Sequence, residues 1–410
     1  MTLISIPVAK TTQRSLIWLV GVSFVLFQFF LQLSSGVIIG AIMYDMQLSA
    51  WQAGLLSSSF YYVYTSMQIP VGMLFDRKNT RLLLTLNAIL CTIGCVFFAQ
   101  STSLLCLIIG RLLIGAGSAF AFVGLSHLLR QHFPLKQFAF MIGLSETLGF
   151  LVTMFGLIGL GALISEWGWR SFINSAALLG LIISCLCWLY IPVASQETFS
   201  LPKYSKQLLG ILSNGKAWIN GLFVGLSFTV ITVFGAMWAV PFIQVKLACS
   251  LKQASFIDAM IFLGTGLSCP LFGKLASLFK RRKPLMVSSC LSTALLIGAV
   301  LYLPFDNAVA LGWLMFLIGL CCGAYMLAFS IANELAPADS LSTCAGFTNT
   351  LAMLSAPLMQ PLVGYILDTV NHTSKTYTLA NYQTALLIIP VSLVLSSCLV
   401  LFLPEKTTNY

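Results

Sequence analysis

Twelve long apolar segments, separated by short polar loops, are the feature that most constrains what this chain can fold into. Each is close to or above the roughly 20 residues that a helix needs to cross a bilayer. Their approximate ranges are 16–44, 51–75, 82–100, 104–130, 138–164, 171–192, 217–245, 253–279, 284–304, 308–333, 341–367 and 383–404. With 59% hydrophobic and only 8% charged residues, the chain lacks the polar surface of a water-soluble protein. We therefore predict an all-α integral membrane protein with twelve transmembrane helices, numbered here spans 1 to 12.

Lysine and arginine are distributed unequally between the two sides of this topology. With the N-terminus inside, sixteen of the 21 basic residues lie on the inner side, four lie on the outer side, and Arg111 lies within a span. This bias predicts that both termini are cytoplasmic. It also accounts for the net charge of +10 without nucleic acid, because the basic residues are spread over short loops.

The twelve cysteines lie almost wholly inside spans. No histidine or carboxylate neighbours the pairs Cys91/Cys95 or Cys321/Cys322, so we interpret them as small packing residues. The sequence predicts no metal site and no cofactor. A near match to a phosphate-binding loop, "GILSNGKA", ends in Ala217 where magnesium would need a hydroxyl, and it does not support a nucleotide site.

The chain divides into two similar halves at its longest polar stretch, which predicts a first bundle over 1–192, a cytoplasmic linker over 193–216 and a second bundle over 217–410. An offset of 201 places span 2 over span 8. It superposes Gln52-Ala53 on Gln253-Ala254, Gly72 on Gly273 and Arg81 on Arg282. Such an internal repeat predicts two six-helix bundles related by a pseudo-two-fold axis.

Two motifs carry a resemblance to a known family. "GMLFDRKNTR", 72–81, resembles the loop 2–3 signature of the major facilitator superfamily, and "GRLLIGAGSAFA", 110–121, resembles its fourth-helix motif with an intramembrane arginine. With the twelve spans and the repeat, the resemblance covers nearly the whole chain. Asn79 replaces a glycine of the signature, and we expect a left-handed backbone there, which asparagine tolerates.

The resemblance implies a conformational latch at the inner end of span 2, made by Gly72, Asp76, Arg77 and Arg81. Gly72 would allow close helix approach, and Asp76 would accept hydrogen bonds from a neighbouring helix N-terminus or pair with a basic group. The second half has Ser277 and Leu278 where the first has Asp76 and Arg77, so the first half would supply most of the latch. The alternative is a solvated loop that follows the positive-inside rule.

Arg111 and Glu146 are the two ionisable residues that we place well inside the bilayer, each roughly 12 Å deep from opposite faces. Arg111 could bind a substrate carboxylate or phosphate while Glu146 titrates as the proton-coupling site. The alternative is an ion pair that orders two helices without touching substrate. Further substrate-binding candidates are Gln28, Gln32, Tyr61, Tyr62, Trp238 and Asn349, although each could equally serve as interhelical contact.

These features predict a secondary active transporter that moves a small polar organic solute by alternating access. The favoured solutes are amino acids, short peptides or organic acids, taken up by proton-coupled import. We expect a monomer in a bacterial inner membrane, with both termini cytoplasmic. The alternative within the class is an exporter of drugs or siderophores by proton antiport, although span 5 lacks the Gly-Pro pair of the family's antiporter signature.

A membrane-embedded enzyme is the rival from another class. Such chemistry needs a cluster of His, Asp, Glu or Cys near one face, and we identify none beyond Arg111 and Glu146. The sequence therefore does not favour an enzyme. A non-transporting receptor of the same fold remains a third interpretation.

Overall fold

The computed structural model describes residues 11–75, 79–193, 209–279, 281–335, 341–371 and 376–404. Eleven helical segments of the described residues are long and apolar enough to cross a membrane. A twelfth helix, Ala50–Phe75, is 26 residues long and forms span 2. Span 1 is Thr11–Leu33 with Ser35–Met46, span 2 is Ala50–Phe75, span 3 is Thr80–Ala99 and span 4 is Leu104–His132. Spans 5 and 6 together form one helical run with a bend between them, Leu135–Tyr190. Spans 7 to 9 are Gly215–Ser227 with Val230–Trp238 and Ala239–Leu247, then Leu251–Phe279, then Lys283–Tyr302. Spans 10 to 12 are Ala308–Cys322 with Gly323–Met326 and Leu327–Leu335, then Leu341–Val370, then Leu379–Leu386 with Ile388–Val400. The predicted all-α membrane fold is confirmed.

Short polar side chains begin several of these helices. The side chains of Asn79, Asn214 and Asn307 each accept a hydrogen bond from a backbone N–H two residues later, which satisfies a donor that the first turn leaves free. The expected left-handed backbone at Asn79 is wrong, because its φ of −61° and ψ of 118° are extended. Asparagine suits this position as a helix cap.

Gly168 makes the turn between spans 5 and 6. Its φ of 76° and ψ of 160° lie in a region that is essentially restricted to glycine. This one residue allows the helical run Leu135–Tyr190 to reverse direction.

Helix pairing follows the predicted pseudo-two-fold relation between the halves. Within the first half, span 1 packs on span 5, span 2 on span 4 and span 3 on span 6. Within the second half, the corresponding pairs are span 7 on span 11, span 8 on span 10 and span 9 on span 12. Between the halves, span 1 meets span 7, and the pair of spans 2 and 11 is matched by spans 8 and 5. Each contact has its counterpart after exchange of the halves.

The halves meet tightly at one end. We call the end that carries residues 47–49, 248–250 and 376–378 the outer end, as the basic-residue distribution predicts, and the opposite end the inner end. An added Cβ at Gly54 would lie 2.7 Å from the backbone oxygen of Gln360, and one at Gly364 would overlap the backbone of Ala50. The missing side chains let spans 2 and 11 touch along their backbones, and the outer end is closed.

Candidate functional site

A cavity lies between the two halves, from the middle of the spans toward the inner end. Its wall comes from spans 1, 2, 4, 5, 7, 10 and 11. The lining residues are Gln28, Phe29, Gln32, Leu33, Tyr64, Phe122, Glu146, Phe150, Phe228, Ile231, Thr232, Tyr325, Met326, Phe329, Asn349, Ala352 and Met353. A mainly apolar and aromatic wall with a few convergent polar groups is typical of a small-molecule site.

Irregular backbone surrounds this cavity. Span 1 breaks at a turn at Ser34, span 7 continues as a π-helix over Val230–Trp238, and span 10 tightens into a 3-10 helix over Gly323–Met326. Thr232 of the π-helix and Tyr325 of the 3-10 helix both line the cavity. Within a membrane, irregular backbone is tolerated where protein or a cavity buries it, and it commonly marks a functional site.

Glu146 provides the cavity's charged group. Among the described residues it has neither an ion-pair partner nor a hydrogen-bond partner. Tyr64 of span 2 and Tyr325 of span 10 line the same cavity. One carboxyl group of the first half therefore faces side chains of both halves.

Arg111 is not part of the cavity wall. Its Nη1 donates to the backbone oxygen of Leu31 at 3.0 Å, its Nη2 donates to the Ser35 hydroxyl, and its guanidinium lies 5.6 Å from the centre of the Phe98 ring. These partners flank the break in span 1, where carbonyl groups lose their helical donors. Arg111 thus stabilises the broken helix, and the ion pair with Glu146 that the sequence suggested is not formed in this structure.

The three predicted amides all line the cavity. Gln28 Nε2 donates to Gln32 Oε1, and Gln32 Nε2 lies 3.8 Å from the sulfur of Met353 across the interface between the halves. Gln28 Oε1 has no partner within the described residues. Together with Asn349, these amides offer donors and acceptors to a polar solute.

The three predicted aromatic residues lie outside the cavity wall. Tyr61 is buried beside Phe60, with ring centres 5.3 Å apart. Tyr62 donates to the backbone oxygen of Pro357 at 2.9 Å and so joins the two halves. Trp238 is fully buried and donates through Nε1 to a backbone oxygen of span 11. Their placement indicates packing rather than direct substrate contact.

The predicted latch falls only partly within the described residues, since Asp76 and Arg77 lie outside them. An added Cβ at Gly72 would meet nothing within 4 Å, so the expected close approach is absent at this position. Arg81 donates to the backbone oxygen of Trp188 at 3.2 Å and lies 5.1 Å from its ring centre, which joins spans 3 and 6 of the first half.

The second-half counterpart of Arg81 forms an ion pair. Arg282 Nη2 lies 2.7 Å from Glu334 Oε2, and its Nη1 donates to the Ser330 hydroxyl at 3.2 Å. The expectation that the first half supplies most of the charge-based contacts overlooked Glu334, because that residue lies far from the repeat motif in sequence. The inner end of span 10 is therefore held by charge.

Two further acidic residues were not identified from the sequence. Asp258 is fully buried in span 8, and Asp368 near the outer end of span 11 accepts hydrogen bonds from the start of span 2. Asp258 lies seven residues inside the helix that begins at Leu251. Counting depth from the start of each span would have identified it as intramembrane.

Comparison with known proteins agrees with this architecture. The family model of the Major Facilitator Superfamily matches residues 19–360. The chain is 21% identical over 372 residues to the probable galactarate/D-glucarate transporter GudP of Bacillus subtilis, with 80% of each chain covered. It is 23% identical over 358 residues to the hexuronate transporter of the same organism, covering 82% of this chain and 84% of that one. It is also 28% identical over 284 residues to the multidrug resistance protein MdtG of Proteus mirabilis, covering 66% and 67% of the two chains.

Solved structures show the same fold. A D-xylose-proton symporter superposes with a TM-score of 0.76 and 17% identity over 96% of this chain and 99% of that one. A bacterial homologue of the human lysosomal transporter Spinster, in an inward-facing and unoccupied conformation, superposes with a TM-score of 0.74 and 18% identity over 96% of both chains. With a family model that spans most of its length, the chain belongs to the Major Facilitator Superfamily of secondary transporters.

Proposed function

We propose that this protein imports a small polar organic solute into a bacterial cell across the inner membrane, coupled to protons, with Glu146 as the coupling carboxylate. The observation that carries the proposal is the position of Glu146 in the cavity wall, where no described side chain neutralises it. A carboxylate held away from water is costly unless it is protonated or paired with a cation. Protonation of Glu146, or an ion pair between Glu146 and an amino group of the solute, would remove that cost.

The cavity favours amino acids and short peptides over organic acids. No basic side chain lines it among the described residues. Arg111, the candidate for binding a carboxylate, already donates to Leu31 and Ser35. The amides of Gln28, Gln32 and Asn349 suit hydroxyl, amino and amide groups of a solute. The names of the GudP and hexuronate transporters support the competing choice, a sugar acid, and these solutes belong in any substrate screen.

Alternating access fits the arrangement of the helices. Contact between spans 2 and 11 closes the outer end, and the cavity extends from the middle of the spans toward the inner end. This corresponds to a state that would release an imported solute into the cytoplasm. The three helices with irregular backbone at the cavity, spans 1, 7 and 10, are the ones we expect to bend during turnover.

Uptake by the purified protein in liposomes tests the proposal. An inward proton gradient is imposed, and the labelled panel contains amino acids, dipeptides, galactarate, glucarate, hexuronates and siderophores. We expect one amino acid or peptide class to accumulate, and a protonophore to abolish the accumulation. Accumulation that a protonophore leaves unchanged would remove the proton from the mechanism, and accumulation of sugar acids alone would replace the solute class.

Proton-coupled export of amphipathic compounds is the second candidate. Five phenylalanines and the flexible side chains of Met326 and Met353 line the cavity, as suits bulky apolar solutes. The similarity to MdtG supports the same choice. Faster loss of a preloaded dye or siderophore when the gradient favours exchange, with no inward accumulation of any solute, would establish the exporter.

A further inference from the structure

Span 8 contains a buried carboxyl group that the central cavity does not use. Asp258 has no exposed surface, and within the described residues neither of its carboxylate oxygens has a hydrogen-bond partner. It lies seven residues after Leu251, where the helix begins, which is roughly 10 Å along the axis. Asp258 is absent from the cavity wall that contains Glu146.

A negative charge at Asp258 would be uncompensated. The helical run Leu135–Tyr190 and spans 7, 9 and 10 pack against span 8. Besides cysteines and tyrosines, the titratable groups in their described parts are Glu146, Glu166, Arg170, Lys216, Lys246, Lys283 and Glu334. Among the described residues, none of these groups forms a hydrogen bond or an ion pair with Asp258. Lys246, the basic residue at the outer end of span 7, donates instead to the backbone oxygen of Leu303 at 2.8 Å. An isolated buried carboxylate costs several kcal/mol, so the neutral acid is the stable form.

Ser255 accompanies Asp258 on the same helix face, one turn nearer the outer end. It is also fully buried, and its hydroxyl lacks a partner among the described residues. Other hydroxyls of this helix behave differently, since Thr265 and Ser268 donate to backbone oxygens three or four residues earlier. The free Ser255 hydroxyl is therefore available to exchange a hydrogen bond with the Asp258 carboxyl group.

A pocket lies at the outer end of span 8, the helix that carries this pair. It is lined by Leu247, Cys249, Gln253, Asp306, Asn307 and Ala308. Gln253 lies five residues before Asp258, roughly 7.5 Å along the helix axis. Asp306 contributes an acidic side chain to the wall of this pocket.

The chemistry of the pair suits a proton better than a metal ion. Hard divalent cations take six or more oxygen ligands, whereas Asp258 and Ser255 provide three. Among the described residues no group of three or more His, Cys, Asp or Glu side chains is placed to hold a metal. We propose that Asp258, with Ser255, is a proton-binding site of the second half, separate from the central cavity and loaded from the outer pocket.

This site extends the proposed function, because a second proton would then bind in the half opposite Glu146. The protonation of Asp258 does not depend on the solute or on the direction of transport. Its test is therefore made on the purified protein without substrate, and its failure is distinguishable from a failure of proton-coupled import.

Infrared spectroscopy at neutral pH compares the wild-type protein with Asp258→Asn. We expect the variant to lose a C=O stretching band of a protonated carboxylic acid, a band that shifts when the wild type is transferred to D₂O. Glu146→Gln is the matched control and leaves the Asp258 band in place. A difference spectrum that shows a carboxylate stretch, or a band that responds to sodium at constant pH, would overturn the assignment.

Carbodiimide labelling tests the same site in the wild type, should Asp258→Asn fail to fold. A protonated carboxyl group adds across a C=N bond of dicyclohexylcarbodiimide to give an O-acylisourea, which rearranges to a stable N-acylurea without loss of any group. We expect the adduct on the peptide that contains Asp258, and several-fold less of it in Ala308→Trp, which fills the outer pocket, with labelling of Glu146 unchanged. Absence of the adduct overturns the proton site, and labelling that Ala308→Trp leaves unchanged overturns the outer route.

Discussion

The carboxylate of Asp368 in span 11 accepts hydrogen bonds from the backbone N–H groups of Ala50, at 3.1 Å, and Trp51, at 2.9 Å, which begin span 2. The first N–H groups of a helix have no partner within it and carry partial positive charge. The Tyr377 hydroxyl donates to the same carboxylate at 2.5 Å. A tyrosine hydroxyl is protonated at physiological pH, and burial and the neighbouring Asp368 raise the pKa of Tyr377 further, to about 12. One acidic residue of the second half thus caps a helix of the first half and holds the outer end closed.

Asp368→Asn is expected to open the outer end more often. A hydrogen bond to a charged acceptor stabilises by about 1.5–3 kcal/mol and one to a neutral acceptor by about 0.5–1.5 kcal/mol. We therefore expect the population of the outer-closed state to fall about 5- to 30-fold relative to the open state, for a loss of about 1–2 kcal/mol. Distances between spin labels on the outer ends of spans 2 and 11 measure this shift. Tyr377→Phe is the milder control, and distance distributions equal to those of the wild type would refute the role of Asp368.

Gly54→Leu is expected to block closure of the outer end. A side chain there meets the backbone of Gln360 and Pro361 in span 11, which cannot move aside without separating the helices. Solute uptake should be lost, while cysteines introduced at the outer ends of spans 2 and 11 become more reactive. Gly298→Leu is the matched control, since a Cβ at that helical glycine meets nothing within 4 Å. Normal uptake by Gly54→Leu would show that turnover does not need this close contact.

Arg111→Gln is expected to destabilise the protein without a specific loss of solute affinity. The substitution leaves the Leu31 carbonyl near the break in span 1 without its donor, at a cost of about 1–3 kcal/mol for a buried group. A lower midpoint of thermal unfolding in detergent, with solute binding retained below that temperature, is the expected result. Arg111→Lys should lose less stability because it keeps one donor. Unchanged thermal stability together with abolished binding would return Arg111 to the substrate site.

Glu146→Gln is expected to abolish proton-driven accumulation and to spare solute exchange across the membrane. The amide resembles the protonated acid in shape and charge, so it permits the conformational change but cannot release a proton. Counterflow of labelled solute in liposomes measures exchange, and uptake under an imposed proton gradient measures coupling. Asp258→Asn is a useful comparison, since it changes an acid outside the cavity. Full accumulation by Glu146→Gln would exclude this residue as the coupling site.

The behaviour of individual polar residues shows how far the sequence could be interpreted. Glu146 and the amides of Gln28, Gln32 and Asn349 were placed in the central space from their positions in apolar spans, and all four line the cavity. The partner of Arg111 was not predictable, because the break at Ser34 exists only when span 1 bends around its neighbours. The capping of Ala50 by Asp368 joins residues 318 positions apart and leaves no local pattern.

The sequence by itself determined the number of spans, their helical form, the repeat of the two halves and the family. Backbone groups inside a membrane must bond within their own segment, so apolar length alone decides where helices form. Tertiary structure decided that Arg111 supports span 1, that Asp258 is buried without a partner, and that the outer end is the closed one. Those outcomes depend on which faces of distant helices meet. Which side chains touch at that interface depends on packing and on the few available hydrogen-bond partners. The order of residues along one helix does not specify these contacts.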